Sequence, residues 1–349
     1  MLLKYRNMAM GVALLMSIAV CASAAESDTP KNSQADQSKI IQSETYVSPF
    51  AGYQAFVEFM QKSPVWSVSA LERSFPPSLY ETCFDSDEIE FSEVIYQTPN
   101  GYTRGWVLRP QETEAELPIV IFNRGGFAKW GRVYPFELLS LCQVATQGFM
   151  VLASDFRGVE NSALTGEQDV TDLGYGDVND NFYFLEAVNQ KYSDLDTENI
   201  AVWGFSRGTT LAALMATRAE NINLVIMQGM VADLVNNARR EEFDEHVYPL
   251  IVDGYSNLSK SRQDELLSGI SPINLIDEVK GKPYFLIFHG AQDERASASD
   301  SLIYASELVN RGYSVDYHLY SDSGHSFGEK FSVYIDEVIS GLKQHLLPD

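Results

Sequence analysis

Ser206 stands where its hydroxyl could act as a nucleophile. It is the central residue of a G-x-S-x-G pattern, residues 204–208, which follows a short apolar run and precedes a helical pattern. A serine on a sharp strand-to-helix turn has strained backbone angles, and the close approach of neighbouring turns leaves room only for glycine on either side. The hydroxyl then lies at a helix N-terminus, where the N–H of Arg207 can face a developing oxyanion. The pattern therefore predicts acyl transfer through a serine nucleophile.

A serine nucleophile requires a general base, and the base requires a carboxylate that orients it. Among the five histidines, His325 is placed best, because it lies in the loop between the last predicted strand and the terminal helix. Asp293 lies just past the carboxyl end of the preceding predicted strand, and the chain order serine, aspartate, histidine suits such a site. Asp300 and Asp322 are rival acids, although Asp322 is expected to shape the histidine loop. We therefore expect Ser206, Asp293 and His325 to form a catalytic triad.

The loop after an earlier apolar run offers a second donor for the oxyanion hole. This loop ends in Gly125-Gly126, whose N–H groups no side chain obstructs. Arg124 and Phe127 flank the two glycines and are candidate substrate-binding residues. Arg124 and Arg207 could both select an acidic substrate, but arginines near a site are more often paired within the protein.

Other kinds of site are excluded by spacing. No dinucleotide fingerprint follows Gly125-Gly126, and the sequence contains no phosphate-binding G-x-x-x-x-G-K-[ST] loop. A calcium loop beginning at Asp177 fails, because Phe182 and Val188 occupy its sixth and twelfth positions. We expect neither a metal nor a cofactor.

The elements that must position these residues alternate between strand and helix from about residue 117 onward. Strand-like runs lie at 118–122, 149–153, 200–203, 224–227, 284–288 and 314–319, and helical patterns lie at 136–147, 177–190, 207–220, 300–311 and 331–346. Such alternation predicts an α/β fold with a mostly parallel sheet and helices on both faces. Before it, a helix is expected at 50–60 and a hairpin at 89–108. The charged segment 231–280 is a candidate cap insertion.

The N-terminus has the pattern of an export signal. A basic start, the apolar run Met8 to Val20 and small residues up to Ala25 indicate a cleaved signal peptide at 1–25. The run is shorter than the ~20 residues that a membrane span needs, although a retained anchor or a lipoprotein site at Cys21 stays open. We expect a periplasmic or secreted protein with no stable membrane span, a disordered lead-in at 26–48 and one domain at 49–349.

The composition narrows the classes of partner. The formal net charge of −23 disfavours binding to nucleic acid or to anionic lipid. After signal cleavage two cysteines remain, Cys83 and Cys142. They form no metal-binding or redox pair, and export would permit a bridge that the sequence does not decide.

Several segments in this order resemble the catalytic domain of the prolyl oligopeptidase (peptidase S9) branch of the α/β-hydrolases. They are Asn123-Arg124-Gly125-Gly126-Phe127, Ser154-Asp155-Phe156-Arg157-Gly158, Gly176-Asp177-Val178-Asn179-Asp180, Gly204-Phe205-Ser206-Arg207-Gly208, His289-Gly290-Ala291-Gln292-Asp293 and Gly324-His325-Ser326-Phe327. The resemblance implies the α/β-hydrolase fold, with Ser206, Asp293 and His325 as the triad.

In two respects the chain departs from that family. Residues 26–115 are too few for the β-propeller of its peptidases, and Arg124 stands where some members have a tyrosine. We therefore expect an exported serine hydrolase acting on a small ester or a peptide. A carboxylesterase or acetyl esterase without peptidase activity, and a catalytically silent binding protein, are the alternatives.

Overall fold

One sheet organises the part of the chain that the structure describes. The computed structural model describes residues 38–63, 65–99, 101–127, 131–156 and 174–347. Among these residues nine strands are hydrogen-bonded in the order β1-β2-β3-β5-β4-β6-β7-β8-β9. Their bounds are β1 Ile40–Thr45, β2 Ile89–Thr98, β3 Gly101–Pro110, β4 Leu117–Asn123, β5 Met150–Ser154, β6 Leu195–Phe205, β7 Ile222–Gln228, β8 Tyr284–Gly290 and β9 Val315–Tyr320. The pairs β1–β2, β2–β3 and β3–β5 are antiparallel and the others are parallel, which confirms the predicted mostly parallel sheet.

Helices cover both faces of the sheet, as predicted. They are α1 Tyr53–Met60, α2 Val68–Ser74, α3 Pro77–Phe84, α4 Pro135–Ala145, α5 Tyr175–Lys191, α6 Gly208–Ala216, α7 Arg240–His246, α8 Lys260–Ile270, α9 Pro272–Leu275, α10 Ala298–Asn310 and α11 Phe331–Leu346. Alternate residues of each strand point to opposite faces. Ile119 and Ile121 of β4 pack in one core with α5, α6 and α10, whereas Val120 and Phe122 pack in the other with α1–α4 and α11.

The N-terminal region is more ordered than the sequence indicated. Part of the predicted lead-in, residues 40–45, forms the edge strand β1, which pairs with β2 in antiparallel register. Most of its side chains are exposed. Backbone hydrogen bonds to β2 therefore provide most of its attachment, with a contact of Ile40 to the core and a bond from Lys191 to Ser43, and no long apolar run in the sequence indicated this strand. The signal segment 1–25 and residues 26–37 lie outside the described residues.

Within the described ranges, no helix is both long enough and apolar enough to cross a bilayer.

Cys83 of α3 and Cys142 of α4 form a disulfide bond, which settles the pairing that the sequence left open. Both cysteines are buried in the core that α1–α4 and α11 share. The bond closes a loop across 59 positions, and it therefore ties the N-terminal helices to the helix that follows β4.

Replacing both cysteines with serine should lower the free energy of unfolding by ~2–4 kcal/mol, because the unfolded chain regains the entropy of an open loop. Urea unfolding of the native protein and of the Cys83→Ser/Cys142→Ser variant measures this difference. A reductant should destabilise the native protein by a similar amount and leave the double variant unchanged. Equal stabilities of the two oxidised proteins would contradict the expected role of the bond.

Candidate active site

Ser206 occupies a strained turn between β6 and α6. Its φ angle is 53°, and Ser206 and Phe327 are the non-glycine residues with positive φ in the described ranges. A Cβ on Gly204 would lie 2.5 Å from the carbonyl oxygen of Gly208, and a Cβ on Gly208 would lie 1.9 Å from that of Asn123. The backbone N–H of Ser206 donates to the carbonyl of Gln228 at 2.8 Å. Glycine is therefore required on both sides of the serine, and the β7 end holds the turn in place.

Asp293 holds His325 by a short hydrogen bond. Nδ1 of His325 lies 2.6 Å from Oδ2 of Asp293, and the Asp293 side chain is fully buried. The other carboxylate oxygen, Oδ1, accepts from the backbone N–H groups of Arg295 at 2.8 Å and Ala296 at 3.0 Å. Burial alone would raise the pKa of Asp293. The hydrogen bonds from His289, His325 and the Ala296 N–H outweigh it and hold the pKa well below its usual range. Asp293 is thus an ionised, fixed acceptor for the Nδ1–H of His325.

The second nitrogen of His325 is the basic one. Because Nδ1 donates to a carboxylate, Nε2 carries the lone pair. Nε2 is buried and has no hydrogen-bond partner among the described residues. The Ser206 hydroxyl is therefore not bonded to it here, but both side chains line one cavity of about 440 Å³. Such bonds are often long in ligand-free enzymes and tighten when substrate binds.

Three backbone N–H groups close to Ser206 make no hydrogen bond to the described residues. Within the described ranges, no hydrogen bond uses the N–H of Gly125, Gly126 or Arg207. A Cβ on Gly125 would lie 3.0 Å from the Cβ of Ser206, and Gly126 lines the cavity beside Ser206. These donors are arranged so that they could bind an oxyanion that forms next to the serine.

A comparison with protein families decides the classification of this arrangement. The profile of the prolyl oligopeptidase family (peptidase S9) matches residues 136–339. The chain belongs to this family. The prolyl oligopeptidase match contains Ser206, Asp293 and His325, and it ends within α11.

This chain covers less than half of the length of each relative that it matches. Venom dipeptidyl peptidase 4 of Apis mellifera is 26% identical over 164 residues, which are 46% of this chain and 20% of the relative. Acylaminoacyl peptidase of Pyrococcus horikoshii superposes with a TM-score of 0.62 at 17% identity, over 75% of this chain and 42% of that one. A puromycin-hydrolyzing peptidase of Mycobacterium tuberculosis superposes with a TM-score of 0.60 at 18% identity, over 74% of this chain and 40% of that one. The structural matches confirm the α/β-hydrolase fold, and this chain corresponds to roughly two fifths of each solved protein.

The side chain of Arg207 connects the serine turn with α5 and with the glycine loop. Its Nη2 donates to Oδ2 of Asp177, in the first turn of α5, at 2.8 Å, and its Nη1 lies 3.5 Å from the carbonyl of Gly126. The guanidinium also lies 4.7 Å from the centre of the Phe156 ring. Arg207 thus contacts the glycine loop through its side chain, while its backbone N–H makes no hydrogen bond to the described residues.

The other predicted site residues divide into two groups. Phe127 lines the cavity with Ser206. Arg124 does not; its guanidinium lies 3.4 Å from Oε2 of Glu137 and 4.9 Å from the Tyr134 ring centre. Both arginines are thus paired with acids inside the protein, as the sequence reasoning favoured, and selection of an acidic substrate by them has no structural support.

Neither rival acid reaches the histidine. Asp322 is exposed and lies 3.7 Å from Nζ of Lys330. Asp300 is a residue of α10, and burial raises the pKa of its carboxyl. In the described part of the chain, the carboxylate that bonds His325 belongs to Asp293.

Two residues that contact the Asp293–His325 pair, His289 and Gly229, were not fully predicted from the sequence. His289 was expected to bond the backbone, and its Nε2 does lie 3.1 Å from the Ala296 carbonyl, but it also lies 3.3 Å from Oδ2 of Asp293. Gly229 follows β7 with φ at 60°, and a Cβ there would lie 3.0 Å from Nδ1 and Cε1 of His325. The signal in the sequence was a glycine at the end of β7, the strand that pairs with β6 before Ser206.

Gly229→Ala should lower kcat by ~10–100-fold, because the added methyl would displace the imidazole of His325 and small misplacements of catalytic groups are costly. Gly254→Ala is the matched control: Gly254 also has positive φ, at 66°, but nothing lies within 4 Å of its added Cβ. Both variants should lose ~1–2 kcal/mol of stability from backbone strain, and steady-state assays should show the kcat loss in Gly229→Ala alone. A similar kcat loss in both variants would show that strain, not contact with His325, is responsible.

No metal cluster accompanies these residues: in the described ranges, no group of three or more His, Cys, Asp or Glu side chains could hold an ion.

Proposed function

We propose that the protein is an exported serine hydrolase that cleaves an amide or ester bond with Ser206, His325 and Asp293. The observation that carries the proposal is the Asp293–His325 bond at 2.6 Å, which leaves a buried and unpartnered Nε2 in the cavity that holds the strained serine. A histidine oriented in this way and facing a nucleophile is suited to acyl transfer.

In the proposed mechanism, substrate binding brings the Ser206 hydroxyl to Nε2 of His325. Oγ attacks the substrate carbonyl carbon as Nε2 takes its proton. The N–H groups of Arg207 and of the Gly125-Gly126 loop bind the oxyanion, and one such donor contributes about 3 kcal/mol to transition-state stabilisation. The imidazolium then protonates the leaving group as the bond to it breaks. Water, deprotonated by the same nitrogen, releases the acyl group and regenerates the serine.

The cavity favours an apolar acyl group. Its apolar wall consists mainly of Phe127, Val231, Leu234, Phe243, Tyr248 and Ile251. Four charged residues also line it: Arg239 and Glu242 are hydrogen-bonded to each other, Arg207 is bonded to Asp177, and the fourth is Arg295. Most of this wall comes from segment 231–280, which we propose acts as a cap over the site. Names of similar proteins include a dipeptidyl peptidase, an acylaminoacyl peptidase and a puromycin-hydrolyzing peptidase, so we propose short peptides or aminoacyl amides with apolar side chains.

Export rests on the N-terminal pattern together with the Cys83–Cys142 bond, because such bonds persist in oxidising compartments. Mass spectrometry of the protein recovered from the periplasm or medium should give a mature N-terminus after residue 24 or 25. A full-length chain retained in the cytoplasm would contradict export.

A substrate panel tests the activity. Short and long acyl esters, acetylated sugars, and aminoacyl and prolyl amides are assayed with the native protein and with Ser206→Ala. The proposal expects turnover of apolar aminoacyl amides that Ser206→Ala abolishes. Turnover of esters alone would favour an esterase, and retention of full turnover by Ser206→Ala would overturn the mechanism.

A further inference from the structure

A second cavity lies on the opposite face of the sheet from the first. It measures about 420 Å³, and much of its wall belongs to the core formed by α1–α4 and α11, including Met60, Phe122, Leu141 and Tyr334. The cavity that holds Ser206 is instead walled by residues such as Tyr248 and Ile270, which pack in the other core.

The second cavity begins directly behind the catalytic residues. Phe205 and Ser326 line it, and they are the chain neighbours of Ser206 and His325. The Phe205 ring lies 5.1 Å from the imidazole of His325, centre to centre. Gln228, whose carbonyl accepts from the Ser206 N–H, also lines this cavity. Of the two cavities, Ser206 and His325 line the first, and the second comes within one chain position of each of them, at Phe205 and Ser326, on the other face of the sheet.

The wall of this cavity is largely aromatic and aliphatic and also includes Lys62, and it carries a carboxyl oxygen without a hydrogen-bond donor. Glu137 of α4 lines the cavity and is 6% exposed. Its Oε2 accepts from the Tyr134 N–H at 2.8 Å and lies 3.4 Å from Nε of Arg124. Its Oε1 is buried and has no hydrogen-bond partner among the described residues. Leaving a buried carboxyl oxygen without a donor is costly, which points to a ligand that supplies one.

We propose that this second cavity binds the leaving group of the substrate, as an aromatic or long aliphatic group with an uncharged N–H or O–H donor directed at Oε1 of Glu137. The inference rests on the proposed function, because it needs a scissile bond at Ser206. An acyl group in one cavity and a leaving group in the other would cross the sheet edge at the serine. An uncharged donor is favoured over an ammonium, because the guanidinium of Arg124 already balances the charge of Glu137.

Esters of one acyl group with different alcohols test the proposal. The 4-acetamidophenyl ester carries an amide N–H, its N-methyl counterpart lacks that donor, a 4-(aminomethyl)phenyl ester carries an ammonium, and the methyl ester leaves the cavity empty. For the native protein we expect kcat/KM to be about tenfold higher with the N–H than with the N-methyl leaving group, the effect of one hydrogen bond to a buried carboxylate. The kcat/KM of the ammonium ester should not exceed that of the N–H ester.

Glu137→Gln should abolish the preference for the N–H leaving group. The carbonyl of the glutamine must face the Tyr134 N–H, so its NH₂ group replaces Oε1 in the cavity and presents a donor instead of an acceptor. The ratio of kcat/KM between the N–H and N-methyl esters should then fall from about ten to about one or below, because one hydrogen bond is lost. Binding of free 4-acetamidophenol to Ser206→Ala can be measured by the quenching of Trp66 and Trp203 fluorescence in the cavity wall. This binding should weaken when Glu137→Gln is added to Ser206→Ala.

Ser63→Trp provides a test that does not touch the buried pair. Ser63 is half-buried at the cavity wall, so an indole there should fill the space. It should raise KM for both phenyl esters at least fivefold relative to the methyl ester, whereas Gln61→Trp, at an exposed position outside the wall, should not. Failure of every ester to turn over would reject the proposed function. Turnover with equal N–H and N-methyl rates, and phenyl esters insensitive to Ser63→Trp, would overturn this inference alone.

Discussion

Asp293→Asn is expected to lower kcat by about 10⁴-fold with little change in KM, as when the wrong histidine tautomer is stabilised. Oδ1 of Asp293 accepts from two backbone N–H groups, those of Arg295 and Ala296. An asparagine must keep its carbonyl oxygen on these donors, so its NH₂ group faces Nδ1 of His325. Nδ1 then becomes the acceptor, the proton moves to Nε2, and Nε2 can no longer accept the proton of Ser206.

Steady-state kinetics on the best substrate of the panel measures this effect. Asp322→Asn is the matched control, because Asp322 is exposed and lies beside Lys330 rather than His325. Its kcat should stay within about twofold of native, as expected for a surface change. A larger loss of kcat in Asp322→Asn than in Asp293→Asn would show that Asp293 is not the acid that orients His325.

Gly208→Ala is expected to prevent folding or to destabilise the protein by more than ~4 kcal/mol, since the added methyl would overlap rigid backbone. Its Cβ would lie 1.9 Å from the carbonyl oxygen of Asn123 and 2.7 Å from that of Arg124, and neither atom belongs to a flexible side chain. The end of β4 and the start of α6 approach this closely so that the Gly125-Gly126 loop lies against Ser206.

Gly269→Ala separates this contact from the general effect of glycine in a helix. Gly269 lies in α8, and the nearest atom to an added Cβ is the hydroxyl of Tyr175 at 4.0 Å. Alanine there should stabilise the helix by ~0.5–1 kcal/mol. Denaturant unfolding of the two variants measures the contrast, and a Gly208→Ala protein of native stability would contradict the close approach at the serine turn.

The sequence was most informative where chain order alone determines position. Carboxyl ends of parallel strands meet at one edge of a sheet, so residues directly after β6, β8 and β9 had to lie near one another. That rule predicts from the sequence alone that Ser206, Asp293 and His325 lie close together. The apolar run at 200–203 marked only the buried middle of β6, which extends from Leu195 to Phe205, because the exposed start of the strand carries polar residues.

Partners from distant segments could not be predicted in the same way. The local sequence of Arg124 does not reveal that Glu137, on another element, neutralises it. Strand β1 is held by backbone bonds to β2, which leave no pattern in side-chain type. The second cavity depends on how α1 and α2 pack against α4 and α11, and the disulfide depends on the approach of α3 to α4.

Reaction with a fluorophosphonate, followed by peptide mass spectrometry, tests directly whether Ser206 is activated by His325. Our account predicts a single labelled peptide that contains Ser206, no labelling of Ser206→Ala, and a labelling rate at least ~10³-fold lower in His325→Ala, because the hydroxyl then lacks its base. Modification of a different residue, or equally fast labelling of Ser206 without the imidazole, would contradict it.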